Sequence, residues 1–244
     1  CILNIVKHKN SHYKLDKSFK MVIKSLIICV IMISLTYLFQ ESLYNELIQE
    51  DGVIEYLTAL LLLIASVLLF SKLVKVGFSR GWPWLVFNLL MALGLFFGFG
   101  EEISWGQRIF SIESNHLFLN HNSKGEINFH NLMIKGVIIN QLIFSYGFSI
   151  IFGVYFLFLL IGYKKNKLIK SIVDKLGIPL PRIKHSLFFV GLSIIIFINP
   201  DDKKWELWEC LFVLFFFLIL VEPYNSSEKL LLTKKLPLKP SESN

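Results

Sequence analysis

Residues 82–108 of the chain read WPWLVFNLLMALGLFFGFGEEISWGQR. Residues 82–99 contain no charged side chain, and their number is close to the roughly 20 apolar residues that a helix needs to cross a bilayer. The apolar run stops at Glu101, where a charged and aromatic segment begins. This stretch predicts a membrane-spanning helix that places two adjacent glutamates at one membrane surface.

The remainder of the chain has the same apolar character. Hydrophobic residues make up 54% of its 244 residues, Phe alone occurs 23 times, and the mean hydropathy is +0.59. A soluble domain of this size could not bury that much apolar surface. We therefore predict an all-α fold, a polytopic transmembrane helix bundle. About six spans are expected, at residues 22–39, 53–70, 82–99, 141–161, 183–198 and 207–221.

Basic residues predict the orientation of these spans. Twenty of the 25 Lys and Arg residues lie in the N-terminal segment, the connections 71–81 and 162–184, or the C-terminal tail. Cytoplasmic loops are enriched in Lys and Arg, so both termini are predicted to be cytoplasmic. The predicted organisation is a basic cytoplasmic segment (1–21), a six-span domain (22–221) and a mobile cytoplasmic tail (222–244). The expected location is the cell membrane, as a multi-pass protein of a bacterial inner membrane.

Composition also limits the partners. The net charge of +7 is distributed over loops, with no basic run interleaved with aromatics, so nucleic-acid binding is not expected. Three scattered cysteines form neither a disulfide framework nor a zinc motif. Membrane lipids are the expected partners, and the basic amphipathic segment 164–184 is interpreted as an internal anchor beside anionic lipid.

Thirteen of the 18 acidic residues fall on the predicted external side or at external helix ends. The first external group is Asp51 and Glu55, which are four residues apart and thus share one helical face. Asp51 is a good N-cap candidate for the second span, and Glu55 lies about one turn inside it. The pair is interpreted either as a cap with an interfacial acid or as part of an external site.

The second group ends the third span. If that helix continues beyond Glu101, then Glu101, Ser104, Trp105 and Arg108 share about 100° of arc, while Glu102 points about 100° away from Glu101. Such a face could bind a metal or activate water, or it could be a structural ion pair beside an interfacial tryptophan. We expect Arg108 to pair with Glu101 or with an acid of the second span such as Glu55.

The third group precedes the fourth span. Glu126, Asn128 and His130 share one face if residues 126–130 are extended, because side chains alternate along a strand. A row of this kind could form a metal-binding or sugar-binding edge. His130 could equally cap the following helix. His116 and His121 lie in the same loop and are weaker candidates.

All three groups lie at one membrane face, so we predict a single external site. The candidate catalytic residues are Glu101, Glu102 and His130, and the candidate cofactor is a divalent metal. One carboxylate would act as a general base, His130 as metal ligand or acid, and Arg108 would hold an anionic group such as phosphate. The candidate substrate-binding residues are Arg108, Glu126, Asn128, Asp51 and Glu55.

Two functions remain open from the sequence. The first is a hydrolase or transferase acting on a lipid-linked or envelope substrate. The alternative is a non-enzymatic assembly, sensing or transport component. Proton-coupled transport is disfavoured because the span interiors are nearly free of charge, with Asn88 and Asn140 as the main polar exceptions.

The three motifs also carry a resemblance. The pattern EDGxxE from Glu50, GEEISWGQR from Gly100 and ExNxHN from Glu126 resembles a family of bacterial polytopic membrane proteins with no assigned activity. The likeness covers roughly residues 50–132. A looser likeness is to intramembrane proteases of the prenyl-endopeptidase and bacteriocin-immunity type, which also carry paired glutamates. Those proteins place the arginine four residues after the second glutamate, whereas Arg108 follows Glu102 by six.

Overall fold

The computed structural model describes residues 17–49, 52–129, 131–134, 137–138, 147–201 and 203–225. Within these residues the fold is helical apart from one short antiparallel pair, so the predicted all-α class is confirmed. The α-helices are α1 (Lys17–Phe39), α2 (Glu41–Leu47), α3 (Val53–Val76), α4 (Trp82–Glu102), α5 (His116–His121), α6 (Phe148–Gly153), α7 (Leu160–Lys165), α8 (Lys167–Leu176), α9 (Ile183–Ile198) and α10 (Lys204–Val221). The strands are β1 (Met133–Ile134) and β2 (Val137–Ile138).

Two helical stretches of the described chain are long and apolar enough to cross a membrane, Val53–Arg80 and Trp82–Glu102. Lys24–Tyr37 and Ile183–Ile198 are apolar but shorter. Helix α10 has the necessary length but carries three charged residues in its first two turns. The predicted span 141–161 lies partly outside the described residues. The described part of this region consists of α6 and α7, which are joined by a π-helical segment, Val154–Leu159.

Glycines set the boundaries of the α3–α4 hairpin. Helix α3 ends at Gly77 with φ 53°, and α4 begins after Gly81 with φ 83°, values that favour glycine. A 3₁₀ turn, Gly77–Arg80, joins the two. The helices then pack closely, because Ala92 has no side chain beyond Cβ and its carbonyl accepts a hydrogen bond of 2.8 Å from the Ser66 hydroxyl on α3.

Helix α10 lies at the centre of the largest core cluster. Its residues Leu207, Leu211 and Leu214 have no exposed surface. It packs against α3, α9 and α1, and the π-helical segment contacts α9 through Phe156, whose ring stacks on Phe189 at 4.1 Å between centroids. The last helix of the described residues therefore organises the bundle.

The bundle has two chemically different ends. We define the acidic end as the one where α3 begins, α4 ends and α10 begins. The basic end is the one where α3 ends, α4 begins and α8 lies; it is held together by a 2.9 Å hydrogen bond from the Asn88 amide to the Leu176 carbonyl. Since α3 and α4 are antiparallel neighbours, those predicted external acids and predicted cytoplasmic bases that border these two helices in the described residues fall at opposite ends.

Two segments at the basic end have defined local structure. Segment 164–184 contains a well-capped helix, α8, whose first amides are bonded by the Asn166 side chain and whose last turn is closed by Gly177 in the left-handed conformation. At the start of the tail, the Tyr224 amide donates to the Leu180 carbonyl at 2.8 Å, and Asn225 bonds both Leu180 and Ile178. Residues 226–244 lie outside the described residues.

Gly177 provides a stability test of this packing. A Cβ at Gly177 would lie 2.4 Å from the indole nitrogen of Trp84, and its φ of +70° is unfavourable for other residues. We expect Gly177→Ala to lower the free energy of unfolding by about 2 kcal/mol or more. The matched control is Gly94→Ala on α4, where a Cβ meets no atom within 4 Å and alanine favours the helix. Equal effects of both changes in detergent unfolding titrations would contradict the packing described.

Candidate functional site

Glu101 is the buried carboxylate at the end of α4, with 4% of its surface exposed. Its Oε1 accepts a hydrogen bond of 2.7 Å from the indole nitrogen of Trp105, and its Oε2 accepts one of 2.7 Å from the backbone amide of Phe129. Both carboxylate oxygens are therefore engaged by the segment that follows α4. Glu101 fixes two distant points of that segment to the helix end.

The chain reverses direction directly after Glu102. Ser104, Trp105 and Gly106 have φ values of 45°, 54° and 80°, three consecutive left-handed residues. The helix therefore does not continue to Arg108, which was the condition for the shared face, because a right-handed helix cannot include such residues. The reversal folds the Trp105 ring back onto α4, where a Cβ at Gly100 would lie 2.9 Å from it.

Glu126 is the centre of a second set of bonds. Its carboxylate forms an ion pair with Arg108 and accepts hydrogen bonds from the Ser104 hydroxyl at 3.0 Å and the Asn128 amide at 2.7 Å. Asn128 also donates to Ser104 at 2.9 Å. We expected Arg108 to pair with Glu101 or Glu55; its partner here is Glu126, an acid of the loop. The Glu126 and Asn128 side chains bond each other across a turn in which the Asn128 backbone amide donates to the Glu126 carbonyl at 2.9 Å, so the segment is not the extended one on which their shared face was predicted.

Three further polar residues, which were not predicted from the sequence, form hydrogen bonds within the loop that contains Glu126. The buried Asn122 donates to the carbonyl and the side-chain oxygen of Asn128, both at 2.9 Å. Gln107 accepts from the Ile127 amide at 2.6 Å and donates to Ser114 at 2.6 Å. The sequence signal was an unusual density of Asn, Ser and Gln within a loop that also contains large apolar residues. We call residues 103–132 the cap.

The polar side chains of the network face inward, whereas several large apolar side chains of the cap are exposed beside exposed polar residues such as Glu113 and Lys124. Phe110 is 73% exposed, and several other large apolar side chains of the cap are at least 40% exposed. They are Trp105, Ile109, Ile112, Leu117, Leu119 and Phe129. A polar reaction centre would have the opposite arrangement, with polar groups facing an open cavity.

Glu102 belongs to a different cluster from Glu101. It is half-buried, and it is close enough to Glu55 of α3 and to Glu206 and Glu209 of α10 for their charges to interact. Within the described residues it forms no hydrogen bond or ion pair. Below this acidic cluster the thiol of Cys210 lies against the hydroxyl of Thr58. The predicted separation of the two adjacent glutamates thus agrees with the structure.

The participation of α10 was not predicted. Glu206 and Glu209 are among the thirteen acids predicted to be external, but nothing in their spacing links them to Glu55 or Glu102. The contact arises because α10 packs directly against α3. Only tertiary packing brings these carboxylates together.

Tyr44 of α2 is another buried polar residue at this end of the bundle. Burial, reinforced by the nearby carboxylate of Asp201, raises the pKa of its phenol to about 12. Sequence reasoning gave Tyr44 no role.

Some candidate residues are not described or not brought together. Asp51 and His130 lie outside the described residues, and the N-cap position of α3 is occupied by Gly52 rather than Asp51. His116 and His121 are exposed on α5. Among the residues with defined positions, no group of three or more His, Cys, Asp or Glu side chains could hold a metal ion.

Comparison with known proteins adds no relative. No family model, no curated protein and no solved structure matches the chain. The function is therefore inferred from the geometry of the cap and the acidic cluster.

The cap network can be tested with one substitution. Glu126→Gln removes the charge that Arg108 pairs with and leaves a partly buried guanidinium without its carboxylate. We expect the cap to lose about 1–3 kcal/mol of local stability, measured as faster tryptic cleavage after Lys124. Glu113→Gln, an exposed acid of the same cap, is the control and should cleave like the wild type. Unchanged cleavage of the Glu126 variant would show that the network does not hold the cap.

Proposed function

We propose that the protein is a multi-pass protein of the cell membrane, with about six spans and both termini in the cytoplasm. Two long apolar helices and two shorter ones support insertion. The separation of bases and acids to opposite ends of the bundle supports the orientation, since Lys and Arg are retained on the cytoplasmic side. In this arrangement the acidic end and the cap are external.

We also propose membership of the uncharacterised bacterial membrane protein family that carries the GEEISWGQR pattern. The motif residues have interlocking structural roles, which explains why such a nonamer would be kept together. Gly100 accommodates the Trp105 ring, Glu101 accepts its N–H, and Gly106 supports the chain reversal. Gln107 accepts a hydrogen bond from the Ile127 amide, and Arg108 forms an ion pair with Glu126. The motif is thus suited to building a cap.

The function that the geometry supports best is a non-enzymatic one, an assembly component that docks another membrane protein through its cap. The observation that carries this proposal is the arrangement of the cap, in which the polar side chains of the network bond one another while several large apolar side chains are exposed. Exposed apolar patches rimmed by polar residues are typical of interaction sites. Arg108 and Glu126 are then elements of the scaffold, because their charges neutralise each other.

A second candidate is a hydrolase or transferase acting on a lipid-linked or envelope substrate. The observation that favours it is the acidic cluster of Glu55, Glu102, Glu206 and Glu209 at the converging ends of three helices. Glu102 would be the general base in that case. Under this proposal Glu102→Gln should abolish turnover while leaving the cap intact.

The orientation is tested by reporter fusions. A reporter fused after Lys167 is expected to be cytoplasmic, and one fused after Asn122 is expected to be external. The physical reason is the concentration of Lys and Arg around α8 and their scarcity in the cap. An external signal from the Lys167 fusion would overturn the proposed topology.

The assembly proposal is tested by photo-crosslinking in cells. A photoreactive amino acid at Phe110, on the cap, should give one discrete protein adduct. The same residue at Leu90, which is 63% exposed in the middle of α4, is the control and should give only lipid adducts. The Phe110 adduct should persist in Glu102→Gln and weaken in Glu126→Gln. Identical lipid adducts at both positions would refute docking through the cap.

A further inference from the structure

Two cations lie side by side at the basic end of the bundle. The Lys72 ammonium and the Arg80 guanidinium lie 5.6 Å and 5.9 Å from the centre of the same Trp84 ring. They are close enough for their charges to repel each other. Within the part of the chain that has defined positions, neither forms an ion pair. Two like charges held together in this way favour an anion between them.

The two cations line a cavity of about 60 Å³ between α3, α4 and the end of α8. Asn88 also lines it and has no exposed surface. Its amide nitrogen donates to Trp84 and Leu176, but its side-chain oxygen has no hydrogen-bond partner. The one acid of the lining, Asp174, accepts a hydrogen bond from the Tyr163 hydroxyl. The cavity thus offers two cationic donors at its edge and one buried, unused acceptor.

Large apolar side chains are also exposed at this end of the bundle. Val74, Phe78 and Trp82 are 86%, 65% and 65% exposed, and the Phe78 and Trp82 rings meet edge to face at 4.9 Å. A free anion would gain nothing from these groups. A lipid would, because its acyl chains can cover them while its headgroup reaches the cations.

We propose that this cavity binds an anionic phospholipid whose headgroup carries a hydroxyl, such as phosphatidylglycerol. The phosphate lies between Lys72 and Arg80, and the headgroup hydroxyl donates a hydrogen bond to the Asn88 side-chain oxygen. The lipid belongs to the cytoplasmic leaflet, a statement that rests on the orientation proposed above. The site differs from the general attraction of the α8 lysines for lipid, because it selects one headgroup.

The test uses the full chain in nanodiscs of phosphatidylcholine with a minority of phosphatidylglycerol, and native mass spectrometry of the lipid that stays bound. The wild type should retain phosphatidylglycerol selectively. The double variant Lys72→Gln/Arg80→Gln should bind it about tenfold more weakly. The control Lys203→Gln/Lys204→Gln loses the same charge at the acidic end and should bind like the wild type. Phosphatidylethanol, equally charged but without the hydroxyl, should bind severalfold more weakly.

Each contrary result overturns a definite part of the proposal. Wild-type protein without preference for phosphatidylglycerol, or equal losses in both double variants, would remove the site. Displacement of the lipid by inorganic phosphate would show a simple anion site. If Lys72→Gln/Arg80→Gln fails to fold, the charge-preserving variant Lys72→Arg/Arg80→Lys is measured in its place. This variant keeps both charges and must still bind phosphatidylglycerol. Its failure to bind would refute an electrostatic contact between the two cations and the lipid. If the proposed topology is wrong, the reporter fused after Lys167 gives an external signal. That result is distinguishable from loss of the lipid site.

Discussion

The two hydrogen bonds accepted by Glu101 are the interaction on which the acidic end depends. A carboxylate with 4% exposure at the end of an apolar helix is costly unless its oxygens are bonded. Trp105 and the Phe129 amide supply those bonds from positions 4 and 28 residues away in sequence. For Trp105 to reach back, the chain must reverse at once, which explains the left-handed residues after α4. The reversal in turn requires Gly100 under the ring.

The end of α4 also separates two adjacent glutamates into different environments. Glu101 faces the cap and holds it, whereas Glu102 faces α3 and α10. Because consecutive helical residues differ by about 100°, neither side chain can serve both purposes. The acidic end therefore combines a closed polar network with a neighbouring group of carboxylates. At the basic end the charges are positive, and the Lys72 and Arg80 side chains lie near the ring of Trp84.

Much of this fold could be predicted from local sequence. Helix α9 has the predicted bounds, between Pro181 and Pro200, and α3 and α4 begin where predicted, each directly after a glycine. The chain reversal could not be predicted, since Ser104 and Trp105 adopt φ values that only tertiary bonds make acceptable. The partner of Arg108 and the approach of Glu209 to Glu102 depend on how distant segments pack. Neither is encoded in residue spacing.

Side-chain hydrogen bonds, accepted by Glu101 at the end of α4 and by Gln107 within the cap, hold the cap closed in place of secondary structure. Hydrogen exchange of the backbone amides of Ile127 and Phe129 tests it most directly, because both donate to side chains, Gln107 and Glu101, and neither lies in a helix or strand. We expect these two amides to exchange far more slowly than the amide of Glu113, an exposed residue of the same cap. Exchange of Ile127 and Phe129 as fast as that of Glu113 would contradict it.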